Sequence, residues 1–142
     1  MKTLREARAK VALVVTSGTT SPSAICSALE RTPSKSVVKG TPTGSAQPAA
    51  HPFNIVVIAS QLENSTDVLE HLEDVLCLVE SKKLQLKRLA RKCVAEIHIN
   101  YATSSEGGWT FEPKLLRRMA NLGLKVVVSV NQAQRPVSRQ KV

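Results

Sequence analysis

The stretch from residue 53 to residue 79, FNIVVIASQLENSTDVLEHLEDVLCLV, decides the fold. It begins with a near-continuous run of β-branched apolar side chains, FNIVVIA, which predicts a buried strand. Asn64-Ser65-Thr66 are typical of a helix start, and an apolar stripe with a period of 3.6 residues follows them. The stripe consists of Val68, Leu69, Leu72, Val75, Leu76 and Val79. The sequence therefore predicts a sheet strand followed by a long amphipathic helix that packs on the sheet.

Further strands and helices are predicted on both sides of this stretch. Ser21-Pro22 and Glu112-Pro113 indicate helix starts, because proline suits the first helical position, where its missing N–H is not needed. Thr32-Pro33 and Gly123 predict the ends of these two helices. A second short helix is expected after Ser81-Lys82-Lys83, which interrupt the stripe. Apolar runs and alternation predict strands at 10–17, 36–39, 93–101 and 124–130.

The segments 10–40 and 93–130 repeat one order of strand, loop, X-Pro helix start, helix and strand. Two β-α-β-like halves joined by a strand and a long helix predict an α+β fold. Its single sheet is expected to be antiparallel or mixed, with the helices packed on one face. The domain is expected over residues 10–131, between a basic N-terminal segment, 1–9, and a basic C-terminal tail, 132–142.

Composition excludes several classes of protein. The 142 residues are 42% apolar and 22% charged, which is not the composition of a disordered chain. No apolar run approaches the roughly 20 residues that a membrane-spanning helix needs, so no membrane association is expected. The 20 Lys and Arg against 11 Asp and Glu give a net charge of +9, and residues 1–10 and 131–142 together carry two thirds of the excess. Basic ends of this kind indicate solubility or weak binding of polyanions.

The N-terminus and the cysteines favour the cytoplasm. The first apolar run, 11–15, is shorter than the apolar region of a signal peptide. Cys26, Cys77 and Cys93 are odd in number and lie in apolar-periodic stretches, which predicts small buried side chains rather than disulfides or a metal site. No cofactor is expected, because the chain has no glycine-rich phosphate loop. The absence of a G-x-S-x-G nucleophile elbow argues against a serine hydrolase.

The order of these elements resembles a family of small bacterial α+β proteins catalogued as a domain of unknown function. The matching pieces are SPSAICSALERTPSKSVVKG at 21–40, the stripe from Asp67 to Val79, and FEPKLLRRMANLGLKVVVSV at 111–130. The family often has a tryptophan after the Lys-Gly loop, where this chain has Phe53-Asn54-Ile55. The resemblance implies the fold and no catalytic residues. Some such proteins look like immunity proteins that neutralise a toxin, which implies a binding role by analogy.

The leading expectation is a non-enzymatic binding protein with a protein partner. The long helix carries four acidic residues, and residues 63–80 contain no Lys or Arg to neutralise them. Such a face steers a basic partner toward the helix. Trp109, within GGWTF, is interpreted either as an anchor for that partner or as a staple that covers the edge of the core. The predicted partner-binding residues are Asp67, Glu70, Glu73, Asp74 and Trp109.

Two alternatives belong to other functional classes. A nucleic-acid-associated protein would use a basic block whose leucines at 84, 86 and 89 are expected to face the core. The block consists of Lys82, Lys83, Lys87, Arg88, Arg91 and Lys92. An enzyme of unrecognised type would use His98 and Glu96 as general base and orienting group.

The sequence does not predict a metal site on the long helix. Asp67, His71 and Asp74 share one helix face, but an exposed helix would leave a bound ion mostly in water. These three residues are therefore interpreted as a solvated acidic face.

Overall fold

The computed structural model describes residues 8–42, 50–62, 67–103 and 108–132. The strands are β1 (Arg8–Ser17), β2 (Lys35–Val37), β3 (Asn54–Ala59), β4 (Val94–Thr103) and β5 (Lys125–Gln132). The helices are α1 (Pro22–Leu29), α2 (Val68–Ser81), α3 (Lys83–Leu89) and α4 (Pro113–Leu122). No helix of the described ranges is long and apolar enough to cross a membrane.

The strands form one mixed sheet in the order β2-β3-β1-β4-β5. Neighbouring strands are antiparallel except for β4 and β5, which are parallel. The first strand of the chain, β1, therefore lies at the centre and pairs with both β3 and β4. This architecture confirms the predicted α+β class with a single mixed sheet.

The two predicted β-α-β halves are present in the topology. Strands β1 and β2 are both antiparallel to β3, so they run parallel to each other with α1 between them in sequence. Strands β4 and β5 are also parallel and are connected through α4. The halves differ because β3 lies between the two strands of the first half, whereas β4 and β5 are direct neighbours.

The core lies between one face of the sheet and the helices. Alternate residues of the strands are fully buried there and form one cluster with the helices, which confirms that the helices pack on one face. The largest fully buried side chains are Leu13, Ile25, Leu29, Leu72, Leu76, Ile97 and Ile99. The predicted faces of β4 are correct, since Ile97 and Ile99 are buried and Glu96 and His98 are only half-buried.

The helix ends follow the predicted chemistry in most places. Ser21 caps α1 by accepting a hydrogen bond from the backbone N–H of Ala24, and Pro22 is the first helical residue. Gly123 ends α4 with φ of 69°, the left-handed conformation expected after a helix. However, α1 ends earlier than predicted, because Glu30 already adopts the left-handed conformation, with φ of 55°.

Several details of the sequence interpretation are wrong. The β3 strand is buried on one face only. The helix α2 begins after Asp67, and the predicted start at 64–66 lies outside the described residues. Cys77 is exposed and Cys26 is half-buried, so only Cys93 is a buried cysteine. Most of the loop at 41–52 also lies outside the described residues, as do most of both basic termini.

Candidate functional site

The sheet has a second face that the described helices leave uncovered, which we call the open face. Side chains alternate along a strand, so the residues between the core positions point away from the helices. The strand register places these residues on the open face: Arg8, Lys10, Ala12, Val14, Thr16, Lys35, Val37, Ile55, Val57, Ala59, Val94, Glu96, His98, Asn100, Ala102, Lys125, Val127, Ser129 and Asn131.

The half of the open face formed by β2, β3 and β1 has an apolar centre, with Lys10 and Lys35 at its margins. Val57 lies opposite Val14, Ala59 lies opposite Ala12, and Ile55 lies opposite Thr16. These side chains are half-buried rather than buried, although they sit on inner strands of the sheet. An antiparallel sheet with one solvated face usually carries polar residues on that face. The apolar half is therefore a departure from the ordinary pattern.

The half of the open face formed by β4 and β5 is polar and contains a hydrogen-bonded trio. The Nε2 atom of His98 lies 2.8 Å from Oε1 of Glu96. The register places Lys125 beside Glu96, and the Lys125 Nζ atom lies 3.7 Å from Glu96 Oε2. The trio thus arises from two residues spaced by two on one strand and a third on its parallel neighbour.

His98 and Glu96 are brought together as the enzyme hypothesis requires. Their separation is one at which a carboxylate can orient an imidazole. The pair lies on the open face, however, and not in the described groove of about 270 Å³, which is lined by Arg31, Gln61, Asp74 and Cys77 among others. The enzyme hypothesis stays a prediction.

Two acidic residues at α2, Asp67 and Asp74, have structural roles. The Asp67 carboxylate caps α2 by accepting from the backbone N–H of Leu69 at 2.9 Å. The Asp74 carboxylate accepts from the backbone N–H of Gln61 at 2.8 Å and so ties the segment after β3 to the helix. Glu70 is exposed. That these side chains bind a basic partner stays a prediction.

The expectation that no cation neutralises the acidic face is wrong. Arg118 of α4 donates from Nη1 to Glu73 at 2.6 Å and from Nη2 and Nε to Glu80 at 2.8 and 3.0 Å. These hydrogen bonds lower the pKa of both carboxyl groups and raise that of the guanidinium. The thiol of Cys77 donates to Glu73 at 3.4 Å, and this hydrogen bond raises the pKa of the thiol. Arg118 is therefore a bridge between two helices.

Arg118→Gln is expected to lower the free energy of unfolding at neutral pH by no more than about 1 kcal/mol, since both carboxylates are partly exposed to water. The native pKa values of Glu73 and Glu80 are depressed, so this stabilisation is present above the unfolded pKa and is lost as the pH falls through the native values. Denaturant unfolding at several pH values measures the effect. The matched control is Arg117→Gln, at an exposed neighbour. Equal losses in the two variants would contradict the bridging role.

Trp109 packs as the staple interpretation describes. Its ring makes edge-to-face contacts with Tyr101 and Phe111, with centroid distances of 5.1 and 5.8 Å, and it packs against the core. The indole Nε1 is buried and has no hydrogen-bond partner among the described residues. Its role as an anchor for a partner stays a prediction.

The basic block lies on α3 and the turn that follows it. Lys82 pairs with Glu30, the residue directly after α1, and the other five cations are exposed. Leu86 is buried and Leu89 half-buried, but Leu84 is 67% exposed, so the expectation that all three leucines face the core is wrong. Nucleic-acid binding by this block stays a prediction.

The face at Asp67, His71 and Asp74 is not fully solvated. His71 is buried, and its Nδ1 lies 2.8 Å from the Ser60 hydroxyl. Within the ranges that the structure describes, no three His, Cys, Asp or Glu side chains are grouped so that they could hold a metal ion.

The open face was missed at the sequence level, although a signal for it exists. The run FNIVVIA is apolar on both faces of a strand, a pattern typical of burial on both sides. The same pattern arises when one face packs in the core and the other is an exposed apolar surface. Periodicity alone does not distinguish these cases, because it does not show where the helices lie.

Comparison with known proteins gives one match. Residues 6–133 match a family described as a domain of unknown function, DUF4279. No curated protein and no solved structure matches the chain.

Proposed function

The chain belongs to the DUF4279 family, and because that description states no function, we propose from the geometry that it is a non-enzymatic protein-binding module whose partner covers the open face. The observation that carries the proposal is the apolar half of that face. Its side chains lie on inner strands yet stay half-exposed. Contiguous apolar surface that is partly exposed in this way marks interaction sites in soluble proteins.

The charges around the open face indicate the chemistry of the partner. Lys10 and Lys35 are exposed at the margins of the apolar half, and the side chain of Lys125 is 72% exposed at the β5 edge. Among the described residues assigned to this face, Glu96 is the acidic one, and it already contacts His98 and Lys125. An apolar centre with a polar rim is the usual anatomy of an interface. A complementary partner would present apolar side chains flanked by carboxylates.

This partner chemistry differs from the basic partner inferred for α2. Of the acidic residues predicted to bind a partner, Asp67 is engaged in capping, Asp74 in a loop contact and Glu73 in the Arg118 bridge. The described contacts give the apolar residues of the open face no comparable role. Neutralisation of a toxin, which the resemblance suggested by analogy, would be one form of such binding. The unpaired cysteines support a cytoplasmic location for the proposed function.

Photo-cross-linking in cells that express the chain naturally tests the proposal. A benzophenone side chain at position 57, in the apolar half, is expected to cross-link to a protein partner. The same side chain at position 84 on α3 is the control and is not expected to cross-link to that protein. Val14→Lys, opposite position 57, should lower that capture about tenfold, because it places a charge in the centre of the interface. Lys10→Glu with Lys35→Glu, at exposed positions that leave the core intact, should also lower it.

Each other result counts against the proposal. Capture of the same proteins from positions 57 and 84, or of none, would contradict it. So would capture that is insensitive to both sets of substitutions while circular dichroism shows an intact fold. An adduct of twice the 15.4 kDa chain mass would identify a second copy as the occupant of the open face, which also overturns the proposal.

A further inference from the structure

The strand β5 is a long edge strand with little protection. Among the described strands it has a neighbour, β4, on one side only. The other edge strand, β2, has three residues, contains Lys35 and follows Pro33, features that discourage pairing with another chain. In contrast, β5 has eight residues, KVVVSVNQ, without proline and with one charge, at its first residue. Natural proteins rarely leave such an edge unpaired.

The core-side valines of β5 are also insufficiently covered. Val126, Val128 and Val130 lie on the same face as the buried Ile97, Ile99 and Tyr101 of β4. Val128 is nevertheless 45% exposed and Val130 61% exposed. Among the described helices, α4 packs against α2, and none of them buries Val128 or Val130. Among the described residues, part of the hydrophobic core therefore continues to the sheet edge without a cover.

We infer that this edge pairs with β5 of a second copy of the chain, antiparallel and centred on Val128. A two-fold axis perpendicular to the sheet keeps the core face of both copies on the same side, so each residue must lie opposite a residue that points to the same face. The two residue numbers are therefore both even or both odd, and the central residue lies opposite the same residue of the other copy. Centring on Val128 places Val126 opposite Val130, Val127 opposite Ser129, and Val128 opposite itself. All three core-side valines then face valines. Centring on Ser129 would instead place Val126 opposite Gln132.

The charges along β5 are compatible with pairing to a second copy in this register. Lys125 lies opposite Asn131, so no like charges meet along the paired strands. The valine pairs would extend the core across the junction, next to Tyr101, which the register places beside Val130. The pairing joins two five-stranded sheets into one continuous sheet and leaves the open face of each copy accessible.

This inference is independent of the proposed function, and salt distinguishes the two. Each chain carries a net charge of +9, so two copies repel and their association should strengthen as salt screens the repulsion. A partner held at the lysine rim of the open face should bind more weakly as salt is raised.

Sedimentation of the full chain across a dilution series tests the dimer. A species of twice 15.4 kDa is expected, with a dissociation constant that decreases as salt is raised. Val128→Lys places two lysines opposite each other and should raise the constant at least about tenfold. Val130→Lys, at a more exposed position, tests the same edge with less risk to the fold. The control Val94→Lys changes a valine that is 59% exposed on β4 and should leave the constant unchanged.

Engineered disulfides test the register in a Cys77→Ser background, which removes the exposed cysteine. Val128→Cys should cross-link with itself under mild oxidation. Val126→Cys should cross-link only when it is mixed with Val130→Cys. A monomer at all concentrations, a dimer that survives both lysine substitutions, or cross-links that ignore this pairing rule would each overturn the inference.

Discussion

Replacing Leu72 with alanine is expected to lower the free energy of unfolding by about 2–5 kcal/mol. Leu72 is fully buried in the middle of α2, the helix that packs across the central strand β1. The substitution removes apolar surface from the core and leaves a cavity, because the sheet on one side and the helix backbone on the other limit local collapse. This residue lies in the stripe that predicts the helix.

Chemical denaturation monitored by circular dichroism measures the loss at Leu72. The matched control is Leu84→Ala on α3, where the same side chain is 67% exposed and the expected change is within about 0.5 kcal/mol. If the two variants lost the same small amount of stability, α2 would not pack on the sheet as described.

Asn54→Ala is expected to lower the free energy of unfolding by about 2–3 kcal/mol, since it leaves a backbone donor and a backbone acceptor without their partner. Asn54 is a buried polar residue at the start of β3. Its Nδ2 donates to the carbonyl of Thr20 at 2.9 Å, and its Oδ1 accepts from the N–H of Lys39 at 2.8 Å. One side-chain amide thus connects three segments, namely the loop before α1, the turn after β2, and strand β3.

The control for Asn54 is Asn100→Ala, at an exposed position of β4 where a change within about 0.5 kcal/mol is expected. Unfolding curves in urea measure both variants under one set of conditions. A loss at Asn54 no greater than that at Asn100 would show that water replaces both hydrogen bonds at little cost, contrary to the burial of the amide.

The sequence predicted those features that depend on local periodicity. The alternation from Cys93 to Tyr101 identifies the core face of β4, and the stripe around Leu72 identifies the packed face of α2, because both patterns come from the geometry of one element. The repeated strand-helix-strand order indicated the two halves. The strand order itself was not predicted, since it depends on which strands meet in space.

The candidate sites could likewise be predicted only where they depend on the spacing of residues within one element. Glu96 and His98 are two residues apart on one strand, so their contact could be predicted from spacing. The bridge from Arg118 to Glu73 and Glu80 joins two helices whose packing no local pattern reveals. The open face depends on where all the helices lie. Apolar residues such as Val14 and Val57 therefore look in the sequence like ordinary core residues.

The central position of β1 constrains the order in which the chain can fold during synthesis. Its pairs with β4 join residues that are between 78 and 94 positions apart in the sequence. When α2 has left the ribosome, β1 still lacks one neighbour and half of its ladder of hydrogen bonds. The core cannot close before β4 is made, so most of the chain must emerge with its apolar strands unprotected. Such long-range closure slows folding and makes the nascent chain a substrate for chaperones.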